Sequence, residues 1–337
     1  MVVEPGLRPT AELGSPAASP PPGQAGQGTP RRVSRLVRLL SPAEFRHVWV
    51  SYRRALQASP QTEAHLRSAI DDLLGSPGTL VRAQLAYGVG RALGLERAAA
   101  TSAAIAVEYL HTASLVFDDL PSMDDAKVRR GRPCPHLLYG EGAAILAGLA
   151  LVHRAHALVA EAAAGLPAAR ERRAWLRLEQ NVGLQGLLDG QARDLHFARS
   201  DDPRRVASGK TTPLLRLALL LPAALAGAGP QTEETLDRLA AAWGQAYQAI
   251  DDFRDLLTAD ADSGKTTRRD DSLGRPNLVR ACGPEGACSV LSEDLAAAAR
   301  ELDRLDKTAE LQTPLQQFTQ LLRSESHRIS GRLAIRG

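Results

Sequence analysis

Cysteine is nearly absent from this chain of 337 residues: Cys134, Cys282 and Cys288 are the only three. They are odd in number and lack metal-ligand spacing, so neither a disulfide framework nor a zinc site is expected. Aromatic residues make up 4% of the sequence, and no alternating strand pattern runs for more than a few residues. Ala and Leu dominate instead, which favours helices over sheet. Lysine is confined to positions 127, 210, 265 and 307, so Arg carries almost all of the positive charge. The net charge of +3 gives no broad basic field, and a nucleic-acid partner is not expected. No unbroken apolar run of about eighteen residues exists, so no transmembrane helix is expected. The first residues lack the basic-then-apolar layout of a secretory signal, which makes the cytoplasm the expected location.

What is present divides into two parts. Residues 1–34 are rich in Pro, Gly, Ala and Ser, as in Ser19-Pro20-Pro21-Pro22-Gly23. Such a segment buries too little apolar surface to offset its ordering entropy, and a disordered tail is expected. Residues 35–337 read as a single all-α domain. Ser41-Pro42-Ala43-Glu44 opens the first helix with an N-cap serine and a proline at the first helical position. Further helices are predicted over 62–74, 82–93, 97–117, 143–162, 170–188, 211–225, 233–250, 287–302 and 314–330. The helix over 97–117 is apolar nearly all round, as a helix at a bundle centre should be. The polar stretch 259–277 is a candidate lid.

The most informative stretch ends that central helix. His111 to Leu120 runs into Pro121-Ser122-Met123-Asp124-Asp125, and Arg129-Arg130-Gly131 follows. Four carboxylates, Asp118, Asp119, Asp124 and Asp125, fall within eight residues. Carboxylates so close repel one another and require open water or bound cations. Pro121 breaks the helical ladder, so a loop can fold Asp124 back toward the first pair. A second cluster, Asp251-Asp252-Phe253-Arg254-Asp255, also follows an apolar run. Asp251 and Asp255 share one helix face at i and i+4. Facing clusters of this kind would hold Mg²⁺ ions with open positions for phosphate oxygens.

Two Gly-Lys-Thr-Thr stretches, at Lys210 and Lys265, invite a rival reading as phosphate loops. The required earlier glycine is missing from both, where Arg204 and Ala259 stand. Lys210 is predicted to open a helix and Lys265 to lie in a loop, both suited to gripping phosphate.

Together, Asp-Asp-Leu-Pro-Ser-Met-Asp-Asp-Ala-Lys-Val-Arg-Arg-Gly and Ala-Tyr-Gln-Ala-Ile-Asp-Asp-Phe-Arg-Asp resemble the two aspartate-rich motifs of trans-isoprenyl diphosphate synthases, the polyprenyl synthetase family. The resemblance extends from about Leu36 to the C-terminus. It implies an isoprenoid-synthase-type helical bundle with a central cavity, acting as a homodimeric prenyltransferase. In that family, three Mg²⁺ ions help an allylic diphosphate ionise, and a nucleophile attacks the resulting cation. By resemblance Asp118, Asp119, Asp124, Asp251 and Asp255 are the metal ligands, with Asp118, Asp119, Lys210 and Asp251 central to catalysis. Asp125 and Asp252 are left out of the ligand set. Arg129, Lys210 and Lys265 match contacts to the allylic diphosphate. Thr211, Gln248, Gln191 and Asp194 match positions near the site.

On the acceptor side, His111 and Arg130 match residues that hold isopentenyl diphosphate. The family's Gly-Lys-Arg segment does not match: the chain reads Gly78-Thr79-Leu80-Val81-Arg82, and only the later arginine remains. Each charge-assisted phosphate contact is worth on the order of 1.5–3 kcal/mol, so acceptor binding is expected to be weakened. Restoring basic residues at 79 and 80 is expected to improve it. The alternatives are a different nucleophile, as in an indole or other aromatic prenyltransferase or a terpene cyclase, and a non-catalytic partner subunit. Such subunits typically lose motif aspartates that this chain keeps. Ala113 and Ser114, both small, stand where the growing chain would pass. The stretch is similar to bacterial geranylgeranyl diphosphate synthases, which implies farnesyl to geranylgeranyl products.

Overall fold

A capping box starts the first described helix. Ser41 caps α1 (Pro42–Arg54) by accepting from the Glu44 amide, and Glu44 returns the bond to the Ser41 amide. The computed structural model describes residues 38–197, 203–257, 277–305 and 309–336. The tail over 1–34, most of the candidate lid over 259–277 and Lys265 lie outside the described residues.

α2 (Ala64–Gly75) and α3 (Val81–Ala92) precede α4 (Arg97–Asp118), whose buried residues include Ala103, Ala106, Val107, Leu110 and Ala113. α4 packs most extensively against α6 (Glu141–Ala163) and also meets α3 and α9 (Pro203–Ala226). The close approach to α6 depends on Gly148, where an added Cβ would stand 2.7 Å from the Phe117 ring. Among the described residues the only strands are β1 (Val128–Arg129) and β2 (Arg132–Pro133), paired antiparallel with Val128 opposite Pro133. Their two-residue turn needs positive φ at both positions. Gly131 supplies it freely at 75°, and Arg130 adopts it at 55°. α5 (Pro135–Tyr139) follows the hairpin.

The helix predicted over 170–188 is two helices, α7 (Ala168–Val182) and α8 (Leu187–Leu195). At Gly183 and Gly186 any Cβ would meet the backbone of the preceding turn, at 2.6 Å and 2.2 Å, so the break is one only glycine fits. α9 begins at Pro203, so Lys210 lies well inside a helix and does not open one. Pro213 withholds the amide that would bond the Gly209 carbonyl, and Gly190 of α8 packs directly against that carbonyl.

α10 (Pro230–Leu257), α11 (Leu278–Arg304) and α12 (Ala309–Arg336) complete the bundle. Trp243 anchors α10 against α12, stacking edge-on to Phe318 and donating to the Thr319 hydroxyl at 3.0 Å. The main cluster of buried residues runs from Leu39 to Ile329, and a small second one joins Val116, Leu120 and Ala144. By length and composition α6 is apolar enough to cross a membrane, with a mean hydropathy of 1.6, a property that counting unbroken apolar runs does not detect. Its inner face, including Ala147, Leu151 and Val159, is buried in the bundle, while Ile145, Leu146 and Leu149 are exposed.

Candidate active site

The C-terminal turn of α4 delivers Asp118 and Asp119 into buried positions. Beyond them the chain turns back, because the Asp124 amide donates to the Asp118 carbonyl at 2.9 Å. Asp125 completes the turn at φ 45°, a conformation that Asp tolerates better than most residues. Asp124 thereby returns to the side of Asp118.

These carboxylates do not face one another bare. Lys210 reaches across from α9, with Nζ 2.8 Å from Asp118, 3.2 Å from Asp194 and 3.7 Å from Asp124. Gln191 donates a further bond to Asp118 at 2.8 Å. Burial alone would raise the Asp118 pKa, but the Lys210 ammonium outweighs it and holds the carboxyl below its usual value. The same partners raise the lysine pKa against the opposing effect of burial. Asp119 is held separately, in a bidentate fork with Arg129 at 2.7–2.9 Å. Cys134, which the sequence did not single out, lies buried beside Asp119. Burial and that carboxylate push its thiol up to about 12, so it stays protonated.

Asp251 and Asp255 lie half-buried one turn apart on α10. Asp252, between them, is turned away. It is buried and accepts from the Leu278 amide at 2.6 Å and from Gln248 at 2.9 Å, and so caps α11. Burial lifts its pKa to about 6. Thr211 donates to the other end of the Gln248 amide at 2.8 Å. Gln248 therefore links α9 to the second motif.

A second region lies two turns earlier along α4, on the same face as Asp118. Arg82 donates to His111 Nε2 at 3.2 Å, which requires a neutral imidazole. Burial, followed by the charges of Arg82, Arg130 and Arg129, lowers the His111 pKa well below its ordinary value. The Arg82 Nε is sealed from solvent with no partner. Beneath it, buried Glu108 accepts from the Ala83 amide at 2.9 Å and caps α3. The guanidinium of Arg130 lies over Gly78, 2.5 Å from where a Cβ would project. Leu80 does not face this region. It is 1% exposed within the core, at φ 52°, so the loss of a basic side chain there is a core substitution. That narrows the expectation for position 80: an arginine would be buried among apolar residues. Ala113 is packed in the core, and Ser114 turns its hydroxyl back onto the His111 carbonyl at 2.8 Å.

Among the described residues no cluster of three acidic, His or Cys side chains is arranged to hold a metal ion unaided. The Lys210 ammonium is nevertheless a stand-in cation, around which three carboxylates gather. Their hard oxygen atoms are the donor type that suits Mg²⁺.

The family model described as polyprenyl synthetase matches residues 63–297. The geranylgeranyl diphosphate synthase of Pantoea ananas is 36% identical over 235 residues, covering 67% of this chain and 75% of that protein. The geranylgeranyl diphosphate synthase of Pseudescherichia vulneris is 37% identical over 251 residues, covering 72% and 80%. Among solved structures, the Helicobacter pylori geranyltransferase complexed with magnesium and isoprenyl diphosphate superposes with a TM-score of 0.73 at 24% identity. That match covers 85% of this chain and 99% of the other and shows the same fold. With the fold, the doubled aspartate motifs and these matches in agreement, the chain belongs to the polyprenyl synthetase family and is a prenyltransferase.

Proposed function

We propose that this enzyme lengthens an allylic prenyl diphosphate by condensation with isopentenyl diphosphate, giving farnesyl to geranylgeranyl diphosphate. The observation that carries the reading is the pairing of two unlike groups of side chains along one face of α4, at Asp118 and two turns earlier at His111. One gathers carboxylates around a single cation position. The other presents Arg82 and Arg130 around a neutral His111.

Asp118, Asp119, Asp124, Asp251 and Asp255 would hold three Mg²⁺ ions, which supply Lewis-acid charge to the departing diphosphate. With their carboxylates taken up by such ions, Lys210 and Arg129 would be free to meet the diphosphate oxygens. Without ligands the same carboxylates raise the pKa values of both residues, which keeps them charged. Arg82 and Arg130 hold the acceptor diphosphate, and His111 stays neutral so that it can accept from Arg82. The methylene carbon of the acceptor double bond then attacks the allylic cation, and loss of a proton leaves a chain longer by one isoprene unit. Small Ala113 and Ser114 leave room for the longer products. A homodimer is supported by the exposed apolar side chains of α5 and α6, namely Leu137, Leu138, Ile145, Leu146 and Leu149.

The test is a series of incubations with Mg²⁺. Dimethylallyl, geranyl, farnesyl and geranylgeranyl diphosphates are each supplied with and without isopentenyl diphosphate. Longer prenyl diphosphates are expected only when isopentenyl diphosphate is present. Diphosphate release with a hydrocarbon or alcohol, and no lengthening, would replace this reading with ionisation toward another nucleophile.

A further inference from the structure

The loop over 76–80, between α2 and α3, lacks basic residues at 79 and 80, yet it is not short of positive charge. The hairpin supplies it. Arg130, at the turn, lies over Gly78. Arg132, on β2, donates to the Ser76 hydroxyl and pairs with Asp72 of α2 at 2.5 Å. Two arginines from one hairpin therefore bracket the loop at Ser76 and Gly78. Arg132 also lines one cleft with Arg129, Arg130, Thr112 and Asp119. Its side chain remains 48% exposed, and the two contacts use only part of a guanidinium with five N–H donors.

We propose that Arg132 is an acceptor-binding residue, replacing from the hairpin the cation that the loop has lost at Thr79. Three features support the assignment. The guanidinium is fixed in direction by Ser76 and Asp72, so little side-chain entropy is lost when it takes up an anion. It shares its cleft with Arg130. Its anchor, Ser76, lies three residues before Thr79, on the segment whose charge is missing. Because arginine presents a planar fork, it can hold a phosphate in a fixed orientation. Asp72 accounts for one charge locally. An incoming diphosphate, carrying more charge than one carboxylate, competes for the remaining donors.

The inference rests on the proposed use of isopentenyl diphosphate, and the test separates the two. Isopentenyl diphosphate is titrated calorimetrically into the full-length protein without metal, and steady-state KM values for both substrates are measured with Mg²⁺. The variants are Arg132→Gln and Asp72→Ala. Arg132→Gln is expected to weaken isopentenyl diphosphate binding about ten-fold or more, the worth of one charge-assisted contact, with the allylic KM unchanged. Asp72→Ala removes a competing anion as well as one of two anchors, and Ser76 still holds the guanidinium, so acceptor binding is expected to change by less than about three-fold. Equal losses in both variants would show a merely structural bridge and overturn the assignment, as would unchanged acceptor binding in Arg132→Gln. Wild-type protein that neither binds nor elongates isopentenyl diphosphate would instead remove the functional reading beneath it.

Discussion

Two stations along one face of α4 solve opposite electrostatic problems. Around Asp118, carboxylates are gathered too closely to stand alone, and protein cations fill part of the gap: Lys210 against Asp118, Asp124 and Asp194, and Arg129 against Asp119. Around His111 the surplus is positive. Arg82 lacks a partner at Nε and finds in His111 only a neutral acceptor. The first region keeps more carboxylates than cations before any ligand arrives, so a metal ion adds charge it lacks while exchanging for contacts already made. The second is assembled in advance for an anion. The carboxylate-rich and arginine-rich regions are thus separated by two turns along α4.

The largest effect should come from breaking the carboxylate-rich group. Asp118→Ala removes the carboxylate that Lys210 and Gln191 share, and turnover should fall about a thousand-fold or more. Acceptor binding measured calorimetrically should survive. A variant that keeps near-normal turnover would show that Asp118 is not a ligand. A smaller effect is expected at the arginine-rich group. Gly78→Ala puts a methyl group where the Arg130 guanidinium lies. A flexible side chain can move aside, so thermal stability should change little while the acceptor KM rises about three- to ten-fold. An unchanged acceptor KM would detach Arg130 from binding.

The smallest effect concerns pH. The folded-state pKa of His111 lies well below the ordinary 6.5. Above pH 6.5 the residue is neutral in both folded and unfolded chains and contributes no pH dependence. Below that value the unfolded chain takes up a proton that the folded chain refuses, so stability falls as the pH drops. Wild type should therefore lose stability between about pH 7 and 5 relative to His111→Asn, as read by urea unfolding at each pH. Parallel curves would mean that the imidazole titrates normally in the fold.

Much of this could be read from the sequence, and the failures share a cause. The central helix, its terminal aspartates and the helical class follow from local pattern and composition. The two motif aspartates Asp251 and Asp255 follow from helical spacing. Asp252 sits in the same run of letters, yet its carboxylate caps α11 through Leu278, a partner twenty-six residues away that spacing cannot supply. Likewise, Leu80 reads as a lost phosphate contact until its burial is known. The break between α7 and α8 was missed because Gly183 and Gly186 mark it only through contacts with the preceding turn. Arg132 carries no distinguishing local signal, since its significance comes from Ser76 and Asp72 on another element. In each case the deciding neighbour is distant in sequence.

Gly190 of α8 rests on the Gly209 carbonyl of α9, where a Cβ would be only 2.1 Å from the oxygen. α8 carries Gln191 and Asp194, and the next residue on α9 is Lys210. The ammonium, its partner Asp194 and the Asp118 donor Gln191 therefore take their positions from bare backbone touching backbone, with no side chain between to act as a cushion. A single methyl group at 190 would push the helices apart by about 1 Å and stretch several bonds of the cluster at once. The clearance between two glycines thus acts as the gauge to which the cation site is built.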